Sequence, residues 1–76
     1  MMSEVEWSEK AKRYVKAELK RQGFTYDDLA AKLTDIGMVE TKASVASKLS
    51  RGSFPATFFL ASLKVIGTKN IRVDEF

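Results

Sequence analysis

Apolar side chains recur every three or four positions along this chain, and each recurrence ends in a glycine. Trp7, Ala11, Tyr14, Val15 and Leu19 fall at helical spacing, which predicts a first helix over about residues 8–22. Ser8 is placed to cap its start, and Gly23 fits the left-handed position past its end. A second helix is predicted over 25–36, with Thr25 as N-cap, Asp28 in a capping-box position, and Leu29, Ala30, Leu33 and Ile36 turned inward. The third spans 41–51, from a Thr41 cap to Gly52; Ala46 and Leu49 face in, with Ala43 or Val45 partly covered. The fourth spans 55–66, opens on Pro55, and buries Phe59, Leu60, Leu63 and Ile66 before Gly67. In the tail, residues 68–76, Ile71, Val73 and Phe76 alternate with polar residues, as in a short strand or a docked tail. The expected fold is all-α: one compact four-helix domain over residues 1–76, with no internal repeat or linker.

Composition narrows the chemistry. With 76 residues and 45% hydrophobic content, there is material for one modest core. Cysteine and histidine are both absent, which removes thiolate metal sites, disulfides and the usual general base. Asp27 and Asp28 are adjacent on a helix, so they diverge by about 100° and do not converge as an acid/base pair. No enzyme, metal, cofactor or small-molecule ligand is expected. No apolar run reaches the ~20 residues that span a bilayer, and the N-terminal stretch is acidic, unlike a leader. A cytoplasmic protein is the expectation.

The net charge of +3 hides an asymmetry. Residues 1–40 hold slightly more acids than bases, whereas 41–73 carry Lys42, Lys48, Arg51, Lys64, Lys69 and Arg72 with no acid. A long single-sign stretch attracts polyanions. Within it, the third helix presents small polar groups flanked by bases. A helix that only covers a core usually carries long Glu/Lys pairs outside; small outward residues such as Ala43, Ser44 and Ser47 allow close approach to a partner surface. Two short helices in succession, the second with an alanine at its centre, are the elements of a helix-turn-helix, whose second helix enters the major groove.

The stretches "GFTYDDLAAKL", "SVASKLSRGSF" and "PATFFLASLKVIG" resemble the lambda repressor-like (XRE-type) helix-turn-helix domains over roughly residues 10–68. "LSRGSF", followed by an aromatic-rich helix ending in "IG", is closer still to small bacterial domains of this fold that have no assigned function. The resemblance implies a small transcriptional regulator that occupies double-stranded DNA at an operator. It implies base-edge contacts from Lys42, Ala43, Ser44 and Lys48, with Ser47 on the same face. It implies phosphate contacts from Tyr26 and the amides at Thr25, and from Arg51 and the backbone around Ser53. It also implies a homodimer on the nucleoid, for which Phe54 and Phe58 are the candidate interface. The chain departs from the pattern in its connection: Leu33 and Ala46 lie 13 residues apart, some six more than usual for the phage repressors, so "TDIGMVETK" either lengthens the second helix or forms a loop. The alternative function is a protein-interaction module (an adaptor or antitoxin-like partner) that uses the Phe54–Leu60 surface.

Overall fold

A computed structural model describes residues 3–76. Its first helix, α1 (Glu4–Gln22), begins four residues earlier than the apolar pattern predicts. Ser3, not Ser8, is the N-cap, accepting the Glu6 amide at 3.2 Å. Glu4 and Glu6 occupy the first turn, where carboxylates oppose the positive end of the helix dipole. The apolar pattern does not extend to this turn because its one apolar residue, Val5, is exposed between Glu4 and Glu6 and starts no stripe. Trp7 itself is 47% exposed, so it is not the core residue its spacing suggests.

Helix α2 (Tyr26–Asp35) starts as expected: Thr25 Oγ1 accepts the Asp28 amide at 3.1 Å, and the Asp28 carboxylate accepts the Thr25 amide at 2.8 Å. The bond from the Thr25 backbone holds the Asp28 carboxyl below its ordinary value. Leu29, Ala30 and Leu33 are buried as predicted, but Ile36 lies past the helix and is exposed. Gly37, at φ 95°, turns the chain there, with its amide on Thr34 O and that of Met38 on Leu33 O. The residues between α2 and α3 (Lys42–Arg51) therefore form a loop rather than an extension of α2.

Two faces are rotated relative to the sequence reading. In α3 the buried residues are Val45 and Leu49; Ala46 is half-buried and Ala43 exposed. In α4 (Ala56–Ile66) the buried residues are Phe58, Ser62, Leu63 and Ile66, whereas Phe59 is only half-buried and Leu60 is 61% exposed. Phe58, Ser62 and Ile66 lie at i, i+4 and i+8, a continuous inner stripe that polar Ser62 conceals from a hydrophobicity reading. The Ser62 hydroxyl is fully buried without a hydrogen-bond partner. An unpaired buried hydroxyl costs about 1–3 kcal/mol of desolvation. Ser62→Ala is therefore expected to stabilise the domain by about 1 kcal/mol, raising Tm by roughly 4–8 °C in a calorimetric scan.

Helices α1 and α2 each pack on both α3 and α4, but not on each other among the described residues. Val15, Leu19, Leu29, Leu33, Val45, Leu49, Phe58 and Ile66 meet in the middle. After Gly67 the chain folds back on α1 and ends in a single 3-10 turn (Val73–Glu75), a docked tail with no strand among the described residues. Thr68 Oγ1 donates to the buried Glu18 carboxylate at 2.7 Å, and Arg21 pairs with that carboxylate at 3.0 Å. Tyr14 donates to Asn70 O at 3.3 Å, while its ring meets Phe76 edge-on with centroids 5.2 Å apart. Desolvation, then the Glu18 charge, holds the Tyr14 phenol above its ordinary value. The resulting four-helix body measures 38 × 24 × 19 Å.

Candidate nucleic-acid interface

The candidate residues on α3 divide into those committed inside the protein and those left facing out. Ser44 belongs to the first group. Its hydroxyl accepts the Thr41 amide at 2.8 Å while Thr41 Oγ1 accepts the Ser44 amide, closing a capping box with serine at the position more often held by Glu or Gln. The single hydroxyl proton goes to the Glu40 carboxylate at 2.6 Å, a charge-assisted bond that wins over the Thr41 carbonyl at 3.0 Å. Lys48 is committed too. Its ammonium sits 3.0 Å from both Glu40 carboxylate oxygens, and 5.5 Å from the Phe58 ring centroid. The Glu40 side chain is only 7% exposed and that of Lys48 25%.

Glu40 also anchors the loop it belongs to. Thr34 Oγ1 donates to the Glu40 carbonyl and accepts the Glu40 amide, each at 3.2 Å. One residue thus joins the end of α2, the N-terminus of α3 and the middle of α3. In the sequence Glu40 is one acid among those of residues 1–40, and nothing in its charge alone marks it out. The available signal was a lone acid after the apolar "IGMV", directly before the Thr41 helix cap.

The outward face of α3 carries Ala43, Ser47, Ser50 and Arg51, all exposed, with Lys42 exposed at its N-terminal edge. Arg51 donates to Ser47 Oγ at 3.0 Å, which orients the guanidinium along the helix. From α1, Lys12 donates to the Ser50 carbonyl at 3.3 Å while pairing with Glu9 at 3.0 Å. It satisfies a C-terminal carbonyl of α3, a link that the sequence pattern did not anticipate.

Elsewhere the predicted residues are more scattered. Thr25 is occupied as the cap of α2, and Tyr26 is half-buried against the core. Ser53 is exposed beside an open groove of about 500 Å³, lined chiefly by Trp7, Ala11, Phe54 and Pro55, with Glu4 as its charged member. Phe54 is half-buried and stacks near Phe58 and Phe59, with ring centroids at 5.2 and 6.3 Å. Phe58 corrects the sequence reading: at 1% exposure it belongs to the core and cannot face a second protomer. The aromatic surface expected between Phe54 and Leu60 thus loses its central anchor. Among the described residues, no three His, Cys, Asp or Glu side chains gather to hold a metal.

A family model described as a domain of unknown function, DUF6471, matches residues 7–71. The chain belongs to this family. The DUF6471 match takes in the Glu40 cluster, the outward face of α3, and the helices that carry them. No curated protein matches the chain, and no solved structure does. Among the described residues of this DUF6471 chain, no helix is long and apolar enough to cross a membrane.

Proposed function

We propose that this DUF6471 chain is a sequence-specific double-stranded DNA-binding protein, a small transcriptional regulator rather than an enzyme. In this reading α2, the loop and α3 act as a lambda repressor-like helix-turn-helix, with α3 in the major groove. The observation that carries it is the outward face of α3: Ala43, Ser47 and Ser50 are short enough for close approach, Lys42 and Arg51 lie exposed at its two ends, and none of these positions is an acid. A major groove about 12 Å wide admits a helix with such side chains. Affinity then comes mainly from phosphates met by Lys42 and Arg51, and discrimination from groups at the base edges. Lys48 drops out of the contact set, because Glu40 already neutralises it. As a homodimer in the cytoplasm, the protein would occupy two half-sites about 34 Å apart on one face of the duplex.

Arg51→Ala is expected to weaken binding to a selected duplex by about 1–3 kcal/mol, roughly 5- to 150-fold, with circular dichroism unchanged. Where Arg51 meets a phosphate, the plot of log affinity against log salt flattens by about 0.9; where it meets guanine, discrimination at one base pair is lost instead. Retention of wild-type affinity and of wild-type base preference by Arg51→Ala would remove Arg51 from the interface.

A further inference from the structure

Lys48 is the most central base of α3, yet its charge is turned inward. We propose that Glu40 is a positioning residue for DNA recognition: it fixes the angle of α3 and withholds Lys48 from the nucleic acid, so that the interface discriminates between sequences instead of binding any duplex. The inference rests on the DNA-binding reading above and names the device that controls its specificity.

The geometry supplies the reason. Between Ile36 and Thr41 the chain crosses from α2 to α3 without regular structure, and each unfixed residue of such a loop carries about 1–2 kcal/mol of backbone freedom. A recognition helix on a loose tether samples many tilts, and groups that must meet base edges tolerate only about 0.5 Å and 10–20° of error. Glu40 removes that freedom at three places. Its backbone is clasped by Thr34 at 3.2 Å in both directions, its carboxylate accepts Ser44 at the first turn of α3, and the same carboxylate holds Lys48 one turn further on. Lys48 in turn lies over the Phe58 ring, which ties the pair to the core. The carboxylate is nine-tenths buried and every bond it makes lands on the α2–α3 unit, which distinguishes it from an ordinary surface ion pair.

Glu40 also acts on the charge. A freed Lys48 would add a mobile cation to the side of α3, and a flexible ammonium meets phosphate of any sequence. The carboxylate therefore suppresses non-specific affinity while it stiffens the reader.

The test compares four proteins (wild type, Glu40→Ala, Lys48→Ala and a reversed Glu40/Lys48 pair) on a duplex selected from a random pool and on its scrambled version, by fluorescence anisotropy across a salt series. The wild type is expected to prefer the selected duplex. Glu40→Ala is expected to lose about tenfold or more of that preference. Its binding to the scrambled duplex should strengthen, and the salt slope there should steepen by about 0.9, the value of one added phosphate contact. Simple loss of folded protein would weaken both duplexes equally and leave the slope alone. The reversed pair, Glu40→Lys with Lys48→Glu, keeps the link between loop and helix and should recover most of the preference. Amide exchange of the free proteins supplies a readout without DNA: residues 43–51 should exchange faster in Glu40→Ala, with α4 unchanged. If Glu40→Ala discriminates as the wild type does, or if the reversed pair fails to bind while Lys48→Ala alone also abolishes specific binding, the inference is overturned. In the second case Lys48 is itself a reader. A wild type that enriches no sequence at all overturns the DNA reading, and this inference with it.

Discussion

Phe58→Ala is expected to remove about 3–5 kcal/mol of stability, roughly a quarter or more of what the domain has. Truncating a fully buried phenylalanine costs about 3–5 kcal/mol through lost transfer energy and the cavity left behind. The whole stability of a 76-residue domain is about 4–11 kcal/mol at typical per-residue values. Phe58 is 1% exposed, touches the core cluster, and supplies the ring beneath the Lys48 ammonium, so its loss reaches the Glu40 cluster as well. Leu60, two positions on, is 61% exposed; Leu60→Ala should change stability by less than about 0.5 kcal/mol. Urea denaturation of the two variants measures the register of α4 directly. Near-equal midpoints, or a larger loss for Leu60→Ala, would contradict the burial described here.

Gly52→Ala is the second large effect, and it acts on the α1–α3 crossing. Gly52 ends α3 at φ 73°, and a Cβ there would lie 2.6 Å from the Ser8 carbonyl oxygen and 3.1 Å from its carbon. Those are backbone atoms inside a helix, so they cannot swing aside as a flexible side chain could. The left-handed conformation alone costs an L-residue about 1–2 kcal/mol, and forcing extra atoms into a packed contact adds about 1–3 kcal/mol. The total, roughly 2–5 kcal/mol, should shift the denaturation midpoint far more than Gly37→Ala. Gly37 shares a positive φ of 95°, but nothing lies within 4 Å of its added Cβ, so conformational cost alone applies there. The comparison isolates the close approach. Relief of the clash would push the last turn of α3 away from α1, moving Arg51 and stretching the Lys12 bond to Ser50. Gly52→Ala molecules that do fold should therefore also bind DNA more weakly. Equal midpoints for the two glycine variants would show that α1 gives way at no cost.

Helices and their ends were legible where local chemistry alone decides them. Thr25 with Asp28, Thr41 at the head of α3, and Gly23, Gly52 and Gly67 at the helix ends all stand where the sequence reading places them. The faces were less legible, because they depend on what packs opposite. The pair Phe58 and Phe59 offers two equally apolar choices one residue apart. The decision falls to Ser62, whose small side chain fits the core although its polarity argues against it. Val45 and Ala46 pose the same choice, and the larger aliphatic side chain takes the fully buried site. At the candidate interface, Lys42, Ala43, Ser47 and Arg51 lie exposed together on α3, as the sequence reading required. Lys48 and Ser44 do not, since Glu40, just before the Thr41 cap and outside the helix, reaches them from eight and four residues away, and the helical stripe was followed only from Thr41 onward. The uninterrupted basic stretch after residue 40 is likewise less basic in space than in sequence, because Glu40 folds over Lys48, and Asp74 pairs with Arg72 at 3.0 Å.

The most direct test of the central claim is selection of wild-type protein on a pool of random duplexes. The enriched duplex and its scrambled version are then titrated by fluorescence anisotropy at about 50 mM and about 200 mM salt. Recognition through the outward face of α3 predicts an enriched sequence bound well above its scrambled control, with affinity falling roughly tenfold or more between the two salt concentrations. A pool that emerges unenriched, with no binding to either duplex at the lower salt, would contradict it.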